Sequence, residues 1–124
     1  MTRPPLISIV DDDEDVRAAT AGVVRALGYQ ARAYASAEAF LDSADAGESD
    51  CLILDVQMPG MSGPELQRAL LRSANSAPIV FLAAFADARV RADVLAAGAV
   101  GMLAKPCDGK VLIDAIEAAL ASRR

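Results

Sequence analysis

Five short apolar runs, each followed by a stretch with helical spacing, constrain this chain more than any other feature. Leu6 to Val10, Tyr29 to Tyr34, Cys51 to Asp55, Ala77 to Ala83 and Ala99 to Leu103 read as strands. Four of them are near-continuous apolar runs, and the second is weaker and suits a sheet edge. A strand that faces solvent on one side alternates apolar with polar, whereas a strand covered on both faces does not have to. The pattern therefore implies a parallel sheet sandwiched between helices and joined by right-handed crossovers.

The segments between the runs carry helix signals. Val16, Thr20, Val23, Val24 and Leu27 recur at helical spacing before a stop at Gly28. Ser36 can cap a helix bearing Phe40, Leu41 and Ala44. Ser62-Gly63-Pro64-Glu65 is a capping box opening a helix with Leu66, Ala69 and Leu70 inward. Asp87 caps a helix with Val90, Val94 and Leu95 that ends at Gly98, and Asp108 caps a last one with Leu112, Ile116, Ala119 and Leu120 on one face. The expected architecture is α/β: a flavodoxin-like, doubly wound sheet of five parallel strands in the order 2-1-3-4-5.

At 124 residues the chain is long enough for one core. With a net charge of −5 its field repels phosphate backbones and anionic lipid surfaces, which argues against direct nucleic-acid or membrane binding. No apolar stretch approaches the roughly 18 residues of a membrane span, and the N-terminal run is too short for a signal peptide. The chain reads as soluble and cytoplasmic. Its two cysteines, Cys51 and Cys107, fit reduced thiols better than a disulfide framework. There is no histidine, so histidine triads, histidine metal sites and a phosphohistidine within this chain are all excluded.

In such a sheet, ligands bind where the carboxyl ends of the strands converge. Asp11, Asp12 and Asp13 follow the first strand, Asp55 ends the third, Ala83 the fourth, and Lys105-Pro106 follow the fifth. Taken singly, Asp55 beside a Pro/Gly turn, an acidic helix start and a surface lysine are ordinary features. Carboxylates meeting at one point repel unless a cation sits among them. Oxygen-only ligands favour Mg²⁺ or a similar hard ion. A carboxylate beside such a metal, with a lysine opposite, suits receipt of a phosphoryl group, a reaction governed by positioning and charge neutralisation.

Val10-Asp11-Asp12-Asp13, Leu54-Asp55-Val56-Gln57-Met58-Pro59-Gly60-Met61-Ser62-Gly63 and Ala97-Gly98-Ala99-Val100-Gly101-Met102-Leu103-Ala104-Lys105-Pro106 resemble, in order and spacing, the signatures of the response-regulator receiver domain of bacterial two-component systems. Ser36-Ala37-Glu38-Ala39-Phe40-Leu41 and Met61-Ser62-Gly63-Pro64-Glu65-Leu66 are similar to FixJ-type receivers, which usually precede a DNA-binding helix-turn-helix. Residues 1–124 are accordingly read as a single receiver domain without that output.

The resemblance implies that Asp55 is the phosphoryl acceptor, that Asp11, Asp12, Asp55 and the backbone carbonyl of Gln57 hold Mg²⁺, and that Lys105 contacts the acyl phosphate. It implies a sensor histidine kinase or phosphotransfer protein as donor. It further implies an output either in cis beyond Arg124 or in a protein met in trans, and no turnover of an external substrate. A monomer, or a weak dimer through the fourth helix, fifth strand and fifth helix, is expected, with a cis peptide before Pro106. Gln57 and Phe85 flank the site, and Phe85 is expected to cover part of it and slow attack by water.

Two positions depart from the family. Strand four normally ends in Thr or Ser, here Ala83, and strand five normally carries Tyr or Phe where Met102 stands. These substitutions keep a second reading open, a phosphorylation-independent docking module with a receiver fold. A small flavodoxin-like binding domain is disfavoured, because no Ser/Thr/Gly-rich phosphate loop follows the first strand.

Overall fold

The computed structural model describes residues 3–85 and 87–123. Five parallel strands, β1 (Leu6–Val10), β2 (Gln30–Tyr34), β3 (Cys51–Asp55), β4 (Ile79–Ala83) and β5 (Gly101–Ala104), lie in the order β2-β1-β3-β4-β5. Helices α1 (Glu14–Ala26), α2 (Ala37–Leu41), α3 (Gly63–Arg72), α4 (Ala88–Ala96) and α5 (Gly109–Ser122) alternate with them. This is the flavodoxin-like order expected from the sequence.

The unbroken apolar runs have a direct structural cause. Side chains along a strand point alternately to opposite faces, and here both faces are buried. Leu52, Leu54 and Phe81 point into a layer with Phe40, Leu66, Leu70 and Val94 beneath α2, α3 and α4. Ile53, Val80 and Leu82 point the other way, onto Val24, Leu112 and Ile116 beneath α1 and α5. Every residue of β1, β3 and β4 is buried, whereas β2 has one buried position, as an edge strand should.

The helix starts carry the expected caps. Ser36 accepts from Ala39 N, Asp87 from Arg89 N and Val90 N, and Asp108 from Lys110 N. Ser62 and Glu65 form both halves of the capping box, at 3.2 and 2.9 Å.

Several boundaries differ from the sequence expectation. Ala44 does not belong to α2: the Ser43 hydroxyl donates to the Phe40 carbonyl at 2.6 Å, the helix ends at Leu41, and Ala44 opens a 3-10 turn, Ala44–Gly47. β4 starts at Ile79 rather than Ala77, because the Ala77 amide is turned onto the Asn75 side chain. β5 starts at Gly101 rather than Ala99. The Ala99 amide closes the end of α4 on the Val94 carbonyl at 2.9 Å, beyond Gly98 at φ 105°. On α3, Ala69 is only half-buried, and the inward place is taken by Gln67, whose amide donates to the Val94 carbonyl at 3.0 Å and ties α3 to α4. Both cysteines are free, and burial pushes the Cys51 thiol up to about 12. Among the described residues no helix is long and apolar enough to cross a membrane.

Candidate functional site

The carboxyl ends of β1, β3, β4 and β5 meet at a cleft of ≈ 330 Å³ whose walls include Asp12, Asp55, Gln57, Ala83, Phe85 and Lys105. Asp55 is the last residue of β3, paired with Leu82 of β4, and the turn that follows leaves the sheet through Pro59 and Gly60. That turn demands glycine twice. Gly60 adopts φ 77° against the Glu38 carboxylate, whose Oε2 accepts from Met61 N at 2.9 Å. A Cβ on Gly63 would strike the backbone carbonyl of Asp55 and come within 2.9 Å of Phe81. Gly63 and Glu38 thus fix the loop after Asp55, a role that their places in the sequence motifs do not reveal and the close approach does.

Asp11, directly past β1, is 1% exposed and Asp55 5%. The Lys105 ammonium lies 2.8 Å from Asp11 Oδ2 and 3.1 Å from Asp55 Oδ1, bridging two strand ends. Burial, then the Asp11 charge, raise the Asp55 pKa from 3.8 to about 6 against the pull of Lys105. The Lys105 pKa is raised as well: burial acts to lower it, and its bonds and proximity to Asp11 and Asp55 outweigh that. Arg17, which the sequence reading passed over, donates from Nη1 to the Asp11 backbone carbonyl at 2.7 Å and holds the loop after β1.

Carboxylate oxygens of Asp11, Asp12 and Asp55 all lie within 4.8 Å of one another. Asp11 Oδ2 is buried, and its 2.8 Å contact with the Lys105 ammonium is an ion pair; no other polar group among the described residues meets it. Three carboxylates crowded into an all-oxygen cluster around a single ammonium fit a hard divalent cation. Asp13 does not join this cluster. Its Oδ1 accepts from Asp15 N and Val16 N, at 2.9 and 3.2 Å, so its carboxylate is spent as the α1 cap.

Ala83 and Met102, 4% and 9% exposed, pack in one layer with Phe81 and Val94. Met102 is therefore turned inward here, although an unbranched thioether left its orientation open from sequence. Phe85 is 77% exposed and lines the cleft. The Lys105-Pro106 peptide is cis.

The family model of the response regulator receiver domain matches residues 7–117. The chain belongs to this family. Among relatives of the receiver, the response regulator protein TodT of Pseudomonas putida is 38% identical over 118 residues, spanning 95% of this chain and 52% of its own. The transcriptional regulatory protein FixJ of Rhizobium meliloti is 36% identical over 113 residues, or 91% of this chain and 55% of FixJ. The receiver spans about half the length of these curated relatives. Of solved structures, the response regulator StyR superposes with a TM-score of 0.89 at 37% identity, covering 97% of this chain and 61% of that one. FixJ-N superposes at 0.87 with 34% identity, covering 99% and 98%. Receivers of response regulators are modules of two-component signalling rather than turnover enzymes.

Proposed function

We propose that this receiver accepts a phosphoryl group on Asp55 from a phosphohistidine of a partner sensor kinase or phosphotransfer protein. The observation that carries this reading is the buried Asp11/Asp55/Lys105 constellation, in which the two carboxylates share one ammonium, with Asp12 beside it. An Asp55 carboxylate oxygen attacks the phosphorus, the P–N bond to the donor imidazole breaks, and the imidazole leaves with the bonding pair. Lys105 offers its charge to the phosphoryl oxygens and is held for that by the two carboxylates. Asp11, Asp12, Asp55 and the Gln57 carbonyl would hold Mg²⁺, which neutralises charge on the transferring group. An Asp55 that is harder to ionise than usual is also the more basic nucleophile once ionised. Residues 1–124 act as one receiver unit in the cytoplasm. The output is either a DNA-binding domain in cis, as the greater length of the relatives suggests, or a protein bound in trans. Ala83 and Met102 favour the docking-module reading, but a site built only for docking has no use for a buried lysine between two carboxylates.

The test is mass spectrometry after incubation with Mg²⁺ and acetyl phosphate. One added phosphoryl group on Asp55 is expected, and none in Asp55→Asn; label that persists in Asp55→Asn would place the acceptor elsewhere.

A further inference from the structure

The two substitutions at Ala83 and Met102 leave a space, and the structure holds an apolar group able to fill it. Between α4 and β5 lies a cavity of ≈ 320 Å³ lined by Ala83, Ala88, Met102, Leu103 and Ala104, with the charged Asp87 and Arg91 also on its wall. An apolar cavity of about 150 Å³ already accepts benzene. On the other side of the loop after β4, the Phe85 ring stands in solvent, the most exposed of the large apolar side chains described. The acceptor cleft and this cavity share Ala83 as a common wall, and Phe85 lies midway along the chain between Ala83 and Asp87. Consecutive Cα atoms are about 3.8 Å apart, so the Phe85 backbone is within about 7.6 Å of both walls.

We propose that Phe85 is the switch aromatic of this receiver: when Asp55 carries a phosphoryl group, the ring leaves the lip of the acceptor cleft and enters the α4–β5 cavity against Met102. The inference rests on phosphoryl acceptance by Asp55. Modification adds about −1.5 to −2 charges to the cleft, and the negative face of a ring is a poor neighbour for that charge. The cavity next door is largely apolar, its Asp87 carboxylate being taken up as the α4 cap; it offers the Met102 thioether for a sulfur–aromatic contact and has Arg91 on its wall for a cation–π contact. Arg91 is held in place, donating from Nη1 to the Met102 carbonyl at 2.9 Å. The two ring positions thus respond in opposite senses to the charge on Asp55, which is what lets the modification shift the equilibrium between them. Filling the cavity changes the surface of α4 and β5 from below, by a loop aromatic instead of a strand aromatic.

The experiment follows the ¹³C-labelled ε-methyl signal of Met102 by NMR in the full chain, with and without beryllofluoride plus Mg²⁺. A ring packed on the methyl moves its signal upfield by several tenths of a ppm. That shift is expected in the native protein, is lost in Phe85→Ala, and is lost in Phe85→Leu, which keeps the apolar bulk without the ring current. Ala88→Leu, which fills the cavity, also suppresses it while the amides around Asp55 and Lys105 still respond. If those amides respond but the Met102 methyl moves equally in native and Phe85→Ala protein, the Phe85 switch is wrong and acceptance stands. If the amides around Asp55 do not respond at all, acceptance fails and the switch falls with it.

Discussion

The acceptor edge of this receiver and its α4–β5 edge are separated by the single residue Ala83, yet they are built in opposite ways. At the acceptor edge the charged groups are buried and tied, with Lys105 bridging Asp11 and Asp55 at 2.8 and 3.1 Å. At the α4–β5 edge, alanines leave a cavity of ≈ 320 Å³ and Arg91 straps α4 to the Met102 carbonyl from an exposed position. Capturing a phosphoryl group requires fixed charges at fixed strand ends. Reporting it requires two arrangements of similar energy, and loose packing supplies them more readily than tight packing. The contrast separates the groups suited to acceptance from the packing suited to reporting; under the proposed function this chain keeps the first and alters the second.

The largest expected effect comes from breaking the tied edge. Lys105→Ala leaves Asp11 and Asp55 buried without their cation and should destabilise the fold by about 3 kcal/mol at neutral pH, the scale on which removing one partner of a buried pair acts. Urea unfolding measures it, and Mg²⁺ should recover part of the loss. A change no larger than that of an exposed ion pair, such as Lys110 with Asp114, would show that the edge is not electrostatically coupled. Gly63→Ala should cost about 1 to 3 kcal/mol through overpacking against the Asp55 carbonyl. It should also slow labelling of Asp55, which distinguishes displacement of the acceptor from a purely structural loss.

A smaller effect follows from the titration of Asp55. Its folded-state pKa is raised to about 6 from 3.8, so the folded state binds the proton more tightly than the unfolded chain. Stability from this group is then greatest below pH 4 and falls as pH rises toward 6. Two pKa units set an upper bound of about 3 kcal/mol. Asp55→Asn should remove this slope and melt at an equal or higher temperature than native protein at pH 7 without metal. Mg²⁺ should raise the native melting temperature by mass action, and the rise should shrink in Asp12→Ala. A native slope that Asp55→Asn leaves unchanged, or shifts in the opposite sense, between pH 4 and 6 would contradict the crowding of carboxylates at this edge.

How much of this was legible in the sequence follows the same division. The sheet was legible because two buried faces impose continuous apolar runs, and the acceptor edge because its groups lie at strand ends, where topology alone brings them together. Composition and spacing do not separate Asp13 from Asp11 and Asp12, since a helix cap and a metal ligand are both carboxylates after a strand; the family resemblance leaves Asp13 out, and its bonds from Asp15 N and Val16 N give the physical reason. Arg17, Glu38 and Gln67 act through single side-chain bonds to distant backbone, and no periodicity encodes such a bond. The C-terminal end of α2 and the start of β5 differ from the sequence expectation because local capping by Ser43 and Gly98 overrides apolar continuity.

The smallest expected effect, and the one that sharpens the comparison most, comes from restoring the family pattern at the loose edge. Ala83→Thr with Met102→Tyr puts a hydroxyl at the wall shared by the two clefts and an aromatic ring on β5. Because the cavity is already open, the added ring need not displace packed atoms, and the change in stability should stay within about 1.5 kcal/mol. The hydroxyl has no partner in the unmodified site and gains one when Asp55 carries phosphoryl oxygens, so the two states now differ by a contact that Ala83 cannot make. A ligand shifts an equilibrium only by such a difference. Beryllofluoride with Mg²⁺ should therefore move amide signals throughout residues 84 to 104 in the double variant, while native protein responds mainly near Phe85 and Met102. Phe85→Ala should abolish the native response and leave that of the double variant largely in place, since the ring then comes from Tyr at position 102. Large native shifts across the whole of 84 to 104, unchanged by the double substitution, would mean that the loose edge reports phosphorylation without either aromatic, and that its open packing alone is bistable.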